Sequence, residues 1–170
     1  VEFAGIFNGF GVETHLIFRS DKVLRGFDHD IRDQLMTSMK QKGIKIHSEK
    51  TISKIEKNND KYKVLLSDQN SLIVGSVMGA TGRIPKISKL ELDKIGVEIG
   101  SKGEILTNKY NQTNIDSIYA IGDVTDKVTL TPVALAEGHA FADREFGNKL
   151  RFISYDNIAS AVFSLSLIHI

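Results

Sequence analysis

Apolar residues recur at helical spacing across residues 1–10, where Val1, Phe3, Ile6, Phe7 and Phe10 form a stripe and Gly11 follows as a C-terminal cap. A β-rich run, VETHLIF, occupies residues 12–18. Asp28 then stands as the N-cap of a long helix that carries Ile31, Leu35 and Met39 and stops at Gly43, and residues 44–46 resume as a short strand. This alternation of helix and strand is the kind that builds a parallel sheet and predicts a mixed α/β fold. Strands over residues 52–56, 62–66 and 72–78 are separated by the turn-forming Asn58-Asn59-Asp60 and Asp68-Gln69-Asn70, which predicts antiparallel pairing. Beyond Ala80-Thr81-Gly82-Arg83-Ile84-Pro85 the pattern changes to short strands and turns, ending in an apolar strand over residues 118–122. Thr131, read as an N-cap, and Pro132 open a last helix that runs to about Phe146. A domain boundary is placed near Arg83.

Composition narrows the chemistry. The chain of 170 residues carries 22 Lys+Arg against 21 Asp+Glu, so no surplus of positive charge marks it as a nucleic-acid binder. At 41% apolar residues it is able to bury a core. It contains no cysteine, which excludes thiolate metal sites and cysteine nucleophiles within this stretch. No apolar run approaches the roughly 20 residues of a membrane-spanning helix, and the chain reads as cytoplasmic. Because it opens in mid-helix without Met, it is expected to be an internal piece of a longer protein.

Three constellations carry candidate chemistry. Arg19 and Arg25 follow directly on a strand in an alternating α/β unit, the place where a dinucleotide-binding fold reads the adenosine ribose. Two arginines with no acid at the strand tip itself favour the 2′-phosphate of NADPH over NAD, although solvated surface cations are the plain alternative. Gly122-Asp123, at the end of an apolar segment, places a carboxylate where ribose or polyol hydroxyls can approach, or is simply a turn. Leu130-Thr131-Pro132 begins a helix whose free N–H groups favour an anion such as the reduced pyrimidine edge of a flavin, or are merely capped. His15, His29, His47, His139 and His169 show no metal-ligand spacing and are assigned no role.

Taken together, VEFAG (1–5), LIFRSDKVLRGFD (16–28), ATGR (80–83), NQTNIDSIYAIGD (111–123) and LTPVALAEG (130–138) resemble the flavoprotein disulfide reductases over residues 1–164. The resemblance implies a partial Rossmann-like NADPH-binding domain (1–83), the returning half of an FAD-binding domain (84–154) and the start of a dimerisation domain (155–164). It implies FAD and NADPH as cofactors, glutathione disulfide as the small-molecule substrate and a homodimer, with neither nucleic acid nor membrane as partner. Glu2, Arg19, Arg25, Gly82, Leu130 and Ala161 then correspond to NADPH contacts, with Ala161 standing where valine is usual. Gly122, Asp123 and Thr131 correspond to FAD contacts.

The redox cysteine pair and the acid/base histidine of the family would lie outside this stretch, so the piece alone is expected to be inactive. An NAD-dependent dihydrolipoamide dehydrogenase-like flavoprotein, trypanothione-type and mercuric reductases, and a non-catalytic dinucleotide-binding module remain as alternatives. Residues 165–170 (LSLIHI) depart from the family and resemble a translated sequencing adapter, so they are expected to be read-through.

Overall fold

A computed structural model describes residues 1–164, and the expectation for residues 165–170 falls outside them. Two compact units are formed. The first comprises residues 1–79 with 160–164, the second residues 80–159. Among the described residues no helix is long and apolar enough to cross a membrane.

In the first unit, α1 (Glu2–Gly9) leads through β1 (His15–Ile17) and α2 (His29–Gln41) to β2 (Lys45–His47). Both helices end in the same way. Past α1, the Gly11 N–H donates to Asn8 O and the Val12 N–H to Phe7 O. Past α2, Gly43 donates to Lys40 O and Ile44 to Met39 O. This paired pattern satisfies the last free carbonyls and requires the left-handed backbone that both glycines adopt, at φ 78° and 93°. Each reversal feeds a strand, and β1 and β2 pair in parallel with Ile17 opposite His47. Asp28 caps α2 as its sequence predicts, accepting from the Asp30 and Ile31 N–H groups. Ala4, Val23, Leu35, Met39 and Ile44 form the core, with Met39 wholly enclosed.

β3 (Ile52–Asn58), β4 (Lys61–Leu66) and β5 (Ser71–Val74) form an antiparallel sheet in the order β3-β4-β5, as the turn tripeptides predict. Its last strand is shorter than residues 72–78. Residues 160–164 return over α1 so closely that a Cβ on Gly5 would lie 2.2 Å from the Ser164 carbonyl oxygen, and glycine is required there.

The second unit is mostly loop around a core of Val97, Ile105 and Ala120, followed by α3 (Thr131–Phe146). Two local expectations are corrected. Residues 118–122 do not form a strand: only a single bridge, Gln112 with Tyr119, is made before Gly122–Thr125 turns into a 3-10 helix. The pairing stops on both sides because Asn111, at φ 60°, and Gly122, at φ 72°, leave the extended region. Thr131 is not the N-cap of α3 either. That position belongs to Leu130, whose backbone is extended (φ −130°, ψ 133°), and Thr131 is the first helical residue.

Candidate functional site

The basic loop of the first unit begins where β1 ends. Arg19 and Arg25 are both exposed on it, and among the described residues neither makes a hydrogen bond or ion pair. Their backbone is tightly held. The Lys50 N–H donates to Phe18 O at 3.1 Å and the Glu49 N–H to Ser20 O at 3.0 Å. From α2, Arg32 Nε donates to Val23 O at 2.7 Å and its Nη2 to Lys22 O at 3.0 Å, with Asp21 3.7 Å away. Arg32 is only 8% exposed. One arginine is therefore spent on the loop, and two others are left free to meet an anion. This donor set fits a phosphate monoester.

Glu2 opens α1, and its Oε1 accepts the Phe163 N–H at 2.9 Å, so the carboxylate ties the returning segment to the helix. Ala161 lies exposed in that segment, two residues away. Glu2 and Ala161 thus fall together in the first unit. Leu130 and Gly82 belong to the second. Gly82 is exposed at φ 120°, a conformation that disfavours any side chain.

Gly122, Asp123, Leu130 and Thr131 sit around the start of α3. Gly122 adopts φ 72°, and an added Cβ would come within 3.3 Å of the Ala134 Cβ, so the turn lies directly on the first turn of the helix. Thr125 Oγ1 donates to Gly122 O at 2.9 Å. Asp123 projects an exposed carboxylate with no partner among the described residues. Thr131 and Pro132 are exposed at the helix entrance, where the dipole favours negative charge. A free acceptor next to a helix N-terminus fits a ligand that combines hydroxyl and anionic groups, as a flavin nucleotide does.

A residue with no place among the sequence candidates organises this turn. Glu137 is 1% exposed on the inner face of α3. Its Oε2 accepts the Gly122 N–H at 2.5 Å, while its Oε1 accepts from the Tyr155 hydroxyl at 2.5 Å and from Asn111 Nδ2 at 3.3 Å. Burial and this carboxylate push the Tyr155 phenol up to about 12, which keeps its proton in place as a donor. Lys127 lies 5.4 Å above the Tyr155 ring, and burial holds its ammonium below the usual lysine range. The motif of residues 111–123 is thereby closed on itself: its first residue and its penultimate one meet the same carboxylate. Asn114 braces its middle, accepting from the Glu98 N–H and donating to Gly96 O at 2.9 and 2.7 Å.

These features define a mixed α/β protein with two unpaired arginines on one loop and an unpaired carboxylate beside the entrance of a helix. The family model described as pyridine nucleotide-disulphide oxidoreductase matches residues 1–138, and the chain belongs to that family. Its sequence is 43% identical over 175 residues to a glutathione reductase from Nostoc sp. (strain PCC 7120 / SAG 25.82 / UTEX 2576), covering 96% of this chain and 38% of the relative. It is also 43% identical over 169 residues to a trypanothione reductase from Trypanosoma congolense, covering 97% of this chain and 34% of the relative.

Among solved structures, the HOCl-induced flavoprotein disulfide reductase RclA from Escherichia coli superposes with a TM-score of 0.82 at 26% identity, over 88% of this chain and 34% of that one. LpdA from Mycobacterium tuberculosis shares the fold, with a TM-score of 0.88 at 23% identity over 96% and 36% of the two chains. The chain spans little more than a third of the length of the curated relatives it matches. Membership implies a flavin and a pyridine nucleotide as cofactors.

Proposed function

We propose that this chain is the central part of an NADPH-dependent, FAD-containing reductase whose substrate is glutathione disulfide. The first unit takes NADPH, with Arg19 and Arg25 on its 2′-phosphate and Glu2 and Ala161 along the nicotinamide side, while Gly82 and Leu130, which belong to the second unit, carry over as NADPH contacts from the family resemblance alone. The second takes FAD, with Gly122 and Asp123 at the sugar-phosphate portion and Thr131 at the flavin edge. Residues 155–164 begin the segment that joins two subunits. A bound flavin would supply the electron relay between NADPH and a cysteine disulfide in another part of the protein, which is thereby reduced to the dithiol. The net reaction is NADPH plus a proton plus one disulfide giving NADP+ and two thiols.

The observation that carries this reading is the pair of unpaired arginines on a loop whose backbone is already fixed by a third. A carboxylate in their place would mark an NAD enzyme. The test is the double change Arg19→Ala/Arg25→Ala in the full-length protein, with the ratio of kcat/KM for NADPH over NADH as the readout. Loss of two charge-assisted contacts lowers that ratio by about 100-fold; an unchanged ratio refutes the assignment. Trypanothione disulfide, assayed beside glutathione disulfide, settles which small disulfide is preferred.

A further inference from the structure

We infer that Glu137 is the positioning residue of the flavin-side turn, its buried carboxylate fixing Gly122 and Asp123 against the start of α3. This rests on the reading that the second unit holds FAD. Glu137 shares the core-facing side of α3 with Val133 and Ala140. An apolar side chain there would fill the same space without the desolvation cost of a carboxylate. What an apolar side chain does not provide is an acceptor for the Gly122 N–H, 2.5 Å away.

No lysine or arginine lies within ion-pair distance of Glu137 among the described residues; the Lys127 charge acts on it from further away, and the groups that bond the carboxylate directly are three neutral donors: a backbone amide, a phenol and a primary amide. Bonds to an ionised acceptor are the stronger kind, and they converge from three separate stretches of chain. At Gly122 the amide is held by Glu137 and the carbonyl by Thr125. The peptide units on both sides of this glycine are therefore fixed, and the free carboxylate of Asp123 starts from a set position. Without Glu137, a residue at φ 72° that lacks a Cβ has several conformations open to it.

The test uses the full-length protein with FAD removed and restored. Affinity for FAD is followed by quenching of flavin fluorescence, and NADPH binding at the first unit is followed in parallel. Glu137→Ala is expected to weaken FAD binding by about 10- to 100-fold, the effect of leaving a buried amide unsatisfied, with NADPH binding unchanged. Glu137→Gln keeps one acceptor oxygen for Gly122 and is expected to recover most of the loss, remaining about 3- to 10-fold weaker than wild type.

FAD affinity within twofold of wild type in Glu137→Ala overturns the inference, as does an equal loss of FAD and NADPH binding. Should Glu137→Ala fail to fold, Glu137→Gln decides: selective weakening towards FAD supports the positioning role, and wild-type affinity overturns it. Failure of the wild-type protein to bind FAD at all would instead overturn the reading on which the inference rests.

Discussion

The loop over residues 18–25 and the turn Gly122–Thr125 are each held from a neighbouring helix by one buried charged residue, and the two residues are of opposite sign. Arg32 gathers carbonyls beneath a loop that displays two free cations. Glu137 gathers donors beneath a turn that displays a free carboxylate. In both places the buried charge has the same sign as the groups it presents. An oppositely charged anchor would pair with the displayed groups and remove them from solvent. A like-charged anchor holds the backbone of the loop without pairing with the displayed side chains, so these stay available to a ligand.

The comparison breaks most directly at Arg32. Arg32→Ala leaves the Lys22 and Val23 carbonyls without their donor, and a stability loss of about 2 kcal/mol is expected. The KM for NADPH should rise roughly tenfold with little change in kcat, since only the mounting of the phosphate contacts is disturbed. Arg32→Lys supplies one compact cation in place of a planar fork and should recover only part of the loss. Denaturant unfolding and steady-state kinetics check both effects, and an NADPH KM equal to wild type in Arg32→Ala would remove the anchor from the account.

A smaller effect is expected at the helix entrances, where the two regions differ. Asp28 caps α2 with its side chain, four residues before Arg32, and Asp28→Ala should cost about 1 kcal/mol. Leu130 caps α3 with backbone alone, so Thr131→Ala should shift unfolding by less than about 0.5 kcal/mol. Comparable losses in the two variants would mean that the Thr131 hydroxyl caps the helix after all. Salt separates the regions further. Exposed cations are screened within about 10 Å at 0.1 M ionic strength, whereas hydrogen bonds to a buried carboxylate are screened much less. Raising salt to 0.5 M should weaken NADPH binding about threefold and change FAD affinity by less than half that factor, both measured by titration.

The frame of the first unit was legible because each signal in it is local. Asp28, Gly11 and Gly43 mark helix ends by their own conformational chemistry, and the turn tripeptides mark the antiparallel sheet. The second unit was less legible, since its strand-like stretch at residues 118–122 finds only a single bridging partner and its turn is specified by a carboxylate that follows Gly122 by 15 residues. Both anchors nevertheless leave a sequence trace. Arg32 lies on the same face as Leu35 and Met39, and Glu137 on the same face as Val133 and Ala140. A charged residue at a core-facing helical position has to be bonded to something, and in each case the partners include the backbone of an adjacent loop.

The smallest effect expected lies beside the basic loop, where β1 and β2 bring His15 and His47 together. Their rings are nearly parallel, and His15 Nδ1 lies 2.9 Å from His47 Nε2, a hydrogen bond with room for one proton. Burial chiefly, then the neighbouring His15 and Lys50 charges, hold His47 below the ordinary value of 6.5. The fold therefore favours neutral His47. Its contribution to stability is complete above pH 6.5, where the unfolded chain is also neutral, and declines as pH falls through that value towards the lower folded one.

Glu13, which accepts from Lys45 and lies near His15, is held below its ordinary 4.5 by those contacts, so its own contribution is lost only at lower pH. Asp68, bonded to Lys50, is held at about 2 and acts lower still. The interval between pH 4.5 and 6.5 consequently isolates the histidine. Urea unfolding of wild type and His47→Gln across that interval should give curves that converge as pH falls. Curves that stay parallel would show that the pair titrates no differently in the folded and unfolded chains.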